Sequence, residues 1–111
     1  MKNIITLTLH NEGINNFETL ATSKTNDLQL VELFVRNVST ERGLWIRIPD
    51  GSINVHQVYI GTYMVWSIDI NRAAVVKEDN LIYDTLSAAV DFIRECLTYV
   101  LEEYRNCEAY A

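Results

Sequence analysis

Proline and glycine are scarce, with one proline and four glycines in 111 residues. Few breaks interrupt the chain, so its regular elements are expected to be long. The four glycines (Gly13, Gly43, Gly51, Gly61) are isolated from one another, which excludes a phosphate-cradling glycine loop. Histidine occurs twice, at His10 and His56, and cysteine twice, at Cys96 and Cys107. None of these pairs has a metal-ligand spacing, so the sequence carries no metal motif and no cofactor is expected. Basic residues are also few: nine Lys/Arg face fifteen Asp/Glu, for a net charge of -6 and a pI near 4.7. That balance excludes a binder of the phosphate backbone, whose affinity needs a concentrated basic surface, so no direct nucleic-acid contact is expected. No stretch approaches the roughly eighteen consecutive apolar residues of a membrane span. The start, Met1-Lys2-Asn3 followed by alternation from Ile4 to Leu9, lacks the continuous apolar stretch of a secretory signal.

What is present is an ordinary globular composition, 49% apolar and 22% charged. A chain of this length buries about two thirds of its extended surface on folding, enough for one core, and residues 1–111 read as a single domain. Cys96 and Cys107 fall in one predicted helix, eleven positions apart, or about 16 Å at the helical rise. A disulfide spans at most roughly 7 Å between Cα atoms, so the two are expected as reduced thiols in a cytoplasmic protein.

The clearest element is the last. Leu86, Ala89, Val90, Ile93, Leu97, Val100, Leu101 and Tyr104 recur at spacings of three and four and predict a helix over 85–108 with one apolar face. Asp84 or Thr85 is its N-cap. In the middle, Leu44, Ile46 and Ile48 alternate with Trp45 and Arg47, and Pro49-Asp50-Gly51-Ser52 turns the chain into a return strand from Ile53 to Ile60. Gly61-Thr62 is the next break, followed by a strand from Tyr63 to Ile70. A short Val75-Val76 strand and a polar connector, Lys77-Glu78-Asp79-Asn80, come after it.

The first forty residues are less decided. Ile5, Leu7 and Leu9 alternate and predict a strand, whereas Ile14, Phe17, Leu20 and Ala21 fit either two turns of helix or an irregular strand. Ser23 to Asp27 reads as a loop by composition, and the β-branched and aromatic content of Leu28 to Val38 favours a strand. The expected fold is therefore α+β: an antiparallel sheet of five or six strands (a meander) with a long C-terminal helix packed on one face. Trp45, Tyr59, Tyr63 and Val65 take the parity opposite to the core. One helix cannot cover both faces, so either the segment from Ile14 to Ala21 covers the second face or part of it meets another molecule.

Nucleophilic chemistry is disfavoured, because Cys96 lies on the apolar side of the predicted helix, where burial raises rather than lowers a thiol pKa. Acidity, by contrast, is concentrated. Residues 77–111 hold eight acidic and three basic side chains, the first 76 residues seven and six. Asp91, Glu95 and Glu102 form an outward stripe on the helix, with Glu103 and Glu108 nearby and Arg94 and Arg105 interspersed. Such a stripe is either a solvated face or an electrostatic surface for a basic partner. Trp45, Tyr59 and Tyr63, with Tyr104 and Tyr110, are residue types found in interface hot spots, and a twofold homodimer is the simplest association they suggest.

A short, acidic, motif-free chain is similar in kind to phage-encoded inhibitors, including anti-CRISPR proteins, and to toxin-immunity proteins. That resemblance implies a non-enzymatic protein that blocks or regulates a partner by surface complementarity. The partner would be another protein with a basic, nucleic-acid-handling surface, and the interface residues would be Asp91, Glu95, Glu102, Glu103, Trp45, Tyr59 and Tyr63. The alternative is a self-associating structural or assembly subunit of a homo-oligomer.

Overall fold

The computed structural model describes residues 2–13, 16–72 and 81–109. They form β1 (Ile5–Gly13), β2 (Asn16–Thr25), α1 (Leu28–Val35), β3 (Arg42–Ile48), β4 (Gly51–Ile60), β5 (Tyr63–Arg72), β6 (Leu81–Tyr83) and α2 (Leu86–Ala109). The strands make one six-stranded antiparallel sheet in the order β2-β1-β3-β4-β5-β6, with the long C-terminal helix on one face, so the α+β expectation holds. β1 pairs antiparallel with both β2 and β3. Those two outer strands therefore run in the same direction, and α1 carries the chain from one to the other.

Turn chemistry sets the register of the hairpins. Ile48 pairs with Gly51 and Ile60 with Tyr63, leaving the two-residue loops Pro49-Asp50 and Gly61-Thr62. Gly61 has φ +63°, the II′ pattern with glycine first, whose twist matches the flanking strands. Alternation then assigns the faces. The cross-strand rows Leu9–Leu44–Val55–Ile68–Leu81 and Leu7–Ile46–Ile53–Ile70 lie on one side. Over them α2 lays Ala89, Val90, Ile93, Leu97 and Val100, and α1 lays Val31 and Val35. Each such larger aliphatic side chain contributes roughly 1.5–3 kcal/mol on burial. Thr6, Thr8, Trp45, Arg47, Asn54 and His56 point to the other side, the open face, which no helix covers among the described residues.

The helix expected over 85–108 is α2, and Thr85 is its cap: Ala88 N–H donates to Thr85 Oγ1 at 3.1 Å. Two expectations are corrected and one open alternative is decided. Leu28 to Val35 is a helix, not a strand. Asp27 caps it by accepting from Gln29 N–H at 2.9 Å, while Thr25 Oγ1 accepts from Asp27 N–H. Val31 and Val35, one turn apart, go into the core while Leu33 between them stays exposed, so tertiary burial outweighs the modest β preference of valine. Ser23 to Thr25 is not loop but the end of β2, paired with Leu7, Thr6 and Ile5, of which Ile5 and Leu7 supply the buried apolar contacts that the polar edge strand does not. From Asn16 to Ala21 the chain is strand, with Leu20 the extra residue at a bulge opposite Leu9 and His10. It lies at the sheet edge and does not cover the open face. The expected strand Val75-Val76, the connector 77–80, Ile14 and Tyr110 lie outside the described residues.

One arginine ties the end of α2 to the sheet. Arg72, at the end of β5, reaches Asp50 in the β3–β4 turn through Nε (3.0 Å) and Nη2 (2.9 Å), and Glu103 of α2 through Nη2 (3.0 Å). Its guanidinium also sits 5.8 Å from the Tyr99 ring centre. Burial works to lower its pKa, but the hydrogen bonds to Asp50 and Glu103 and their charges outweigh it, and the net shift is upward. Glu103 is half exposed, so solvent screens its share and Asp50 with the packed stem contributes most. Arg72→Ala should cost about 1–3 kcal/mol in urea unfolding, and Arg72→Lys less, since an ammonium cannot reproduce the two-pronged contact. An Arg72→Ala protein as stable as the parent would show the clasp to be incidental.

Candidate protein-binding surfaces

The sheet separates the residues expected to act together. Asp91, Glu95 and Glu102 are exposed on the side of α2 away from the sheet, and among the described residues none of the three is in an ion pair. Other carboxylates take the arginines instead. Glu32 of α1 holds both Arg36 (3.0 Å) and Arg94 of α2 (3.2 Å), and Asp50 and Glu103 share Arg72. Arg94 therefore stitches the two helices together rather than neutralising the acidic stripe. Glu103, expected beside the stripe as part of the interface, is engaged by Arg72 of its own chain.

The aromatic residues also divide. Trp45 is on the open face, opposite Thr8 and Asn54, and the Arg47 guanidinium covers its ring at 5.1 Å. Tyr63 is on the same face and is 75% exposed. Tyr59 is not: it pairs with Met64 in the row parity of Val55 and Ile53, and so points to the helix side, 61% exposed beyond the end of the core. The strand parity expected for it is corrected by the β4–β5 register. Tyr104 is partly buried on α2.

Tyr59 and Tyr63 belong to one projecting element. The β3–β4 ladder ends at Leu44–Val55 and the β5–β6 ladder at Trp66–Tyr83, whereas β4 and β5 stay paired out to Ile60–Tyr63. Residues 57–65 thus extend past their neighbours as a two-stranded ribbon. Val58, Tyr59, Ile60, Tyr63 and Met64 are all exposed there, and no residue from Gln57 to Val65 is charged. An open depression beside Tyr63, Met64, Val65 and Asp84 marks its base.

A third cluster is one that sequence spacing did not reveal. Strand order brings His10 of β1 and His56 of β4 to the two sides of Gly43 on β3, which pairs with His10. Glu12 lies over them, its Oε1 2.7 Å from His56 Nδ1 and 3.7 Å from His10 Nδ1. The two imidazole rings stand 6.4 Å apart at 63°. Gly43 makes this possible, because a Cβ there would meet the Glu12 carboxylate and His10 Cε1. An isolated glycine inside an alternating strand was the available signal. Ser67 stands directly across from His56, but among the described residues no hydrogen bond joins them, so no Ser-His-Glu relay is assembled. Nor, among the described residues, could any group of three His, Cys, Asp or Glu side chains hold a metal ion. No described helix is long and apolar enough to cross a membrane.

No known family, no curated protein and no solved structure matches this chain.

The histidine cluster makes stability depend on pH. Burial is the largest influence on His10 and lowers its pKa from 6.5; the Glu12 charge opposes this and the His56 charge adds to it, and the net is downward. The unfolded chain then binds more protons than the folded one once the pH falls below the unfolded value. The stabilisation is complete above about 6.5 and is lost as pH falls through the depressed folded value. Urea unfolding of the parent and of His10→Gln should therefore show a smaller stability loss for the variant between about pH 7.5 and about pH 5. Identical pH slopes would remove His10 from the explanation.

Proposed function

We propose that this is a non-enzymatic protein-binding domain that inhibits or regulates a partner carrying a basic, nucleic-acid-handling surface. The observation that carries this reading is the allocation of charge. Three arginines are paired with Asp50, Glu32 and Glu103 of their own chain, and Asp91, Glu95 and Glu102 on the outward side of α2 are left without counter-ions among the described residues. Carboxylates in fixed positions on a rigid helix steer a basic partner and set its register, at no cost in internal ion pairs. The surface is also in keeping with a chain of net charge -6, since like-charged nucleic acid would be repelled while the protein that handles it would be attracted. Inhibitors of the phage and toxin-immunity kinds work in this manner, by occupying a groove rather than by chemistry.

The test is capture of a partner from the native host at low salt, followed by direct affinity measurement with the purified pair. Glu95→Lys with Glu102→Lys should weaken binding at least tenfold and flatten its salt dependence, while thermal unfolding stays near the parent's. Undiminished affinity in the double variant would count against the acidic stripe as the docking surface.

A further inference from the structure

We infer that the projecting β4–β5 ribbon is a twofold homodimer interface, in which the side bearing Val58, Ile60 and Tyr63 packs on the same side of a second copy. The ribbon outruns β3 and β6, so its outer residues lie beyond the reach of the core beneath α1 and α2. Val58 is 38%, Ile60 54% and Tyr63 75% exposed, and all three point to the face that no described helix covers. An apolar strand pair with no charge and no proline is left unguarded by the usual devices against edge and face association. β2 at the sheet edge, in contrast, carries a bulge together with Glu18 and Lys24.

Charge argues for a second copy as the occupant. Two chains of net charge -6 repel each other over most of their surfaces, and the nine residues from Gln57 to Val65 form a stretch with no charge to oppose approach. A basic partner gains nothing there, because the ribbon has no carboxylate to offer it, whereas an identical uncharged patch matches it in size and polarity. Area sets the strength. Three exposed side chains make the apolar patch on this side of each copy, and such a patch is small. Doubled across a twofold axis, it stays below the ~1,200–2,000 Å² of stable specific interfaces, in the size class of transient association, which makes the dimer weak and reversible. In this dimer the open faces turn toward each other and both α2 stripes face outward, giving the assembly two copies of the acidic surface.

Sedimentation velocity of the pure protein from about 1 to about 200 µM should show a concentration-dependent rise toward twice the 12.8 kDa chain mass. Tyr63→Lys with Ile60→Lys should hold the protein at chain mass over that range, with thermal unfolding close to the parent's because both side chains are exposed. Glu95→Lys with Glu102→Lys should leave the dimer in place. A second readout needs no variant: amide chemical shifts should move with concentration at residues 57–65 and stay fixed along β2. A parent protein that is monomeric at the highest concentration overturns the inference, and so does a dimer that survives the ribbon variant or shows its shift changes at β2.

Discussion

Everything in this molecule follows from a sheet whose two described helices pack on the same side. Six strands present two faces, and the aliphatic rows that run from Leu9 to Leu81 and from Leu7 to Ile70 commit one of them to α1 and α2. The hydrophobic stabilisation is concentrated in that layer, where Ile93 and Leu97 of α2 and Val31 and Val35 of α1 are shielded from water. Ion pairs then fix how the helices sit: Glu32 joins α1 to α2 through Arg94, and Arg72 joins the end of α2 to the β3–β4 turn. Arg94 is thereby paired with α1 rather than with the acidic stripe, and the outward side of α2 keeps Asp91, Glu95 and Glu102 without a paired arginine among the described residues.

One-sided coverage also gives the protein two different surfaces. The helix side ends in carboxylates on a rigid helix. The open side carries a tryptophan under an arginine, a half-buried histidine cluster and, at its far end, an uncharged ribbon. A single partner lying flat cannot touch both Glu95 and Tyr63, because the sheet stands between them. The seven residues first grouped as one interface therefore separate by location: Asp91, Glu95 and Glu102 on α2, Tyr59 and Tyr63 on the ribbon, Trp45 beneath Arg47, and Glu103 bound to Arg72.

Legibility in the sequence tracked how local the deciding physics is. The long helix was readable because eight apolar residues keep helical spacing and Thr85 supplies a cap. The hairpins were readable because Pro49-Asp50 and Gly61-Thr62 carry their own turn chemistry. Between Leu28 and Val38 two periodicities coexist, since Val31 and Val35 satisfy both a helix and a strand, and the cap at Asp27 held the answer. β2 was obscured by its serine and threonine content, because its stability comes from pairing with β1. The meeting of His10, Glu12 and His56 depends on strand order across β1, β3 and β4, which no local pattern encodes, although Gly43 hinted at a close approach. The ribbon was half visible: its apolar residues were plain in the sequence, but its overhang depends on where β3 and β6 stop.

The measurement that bears most directly on the account is carboxylate footprinting, in which carbodiimide labelling of each Asp and Glu is compared by mass spectrometry for the protein alone and in its stoichiometric complex. The account predicts that labelling of Asp91, Glu95 and Glu102 falls together on complex formation while Glu18 and Glu41, on β2 and the α1–β3 connection, stay unchanged. Labelling of the α2 stripe that is the same in the free and bound states would contradict it, and would move the binding surface elsewhere on the fold.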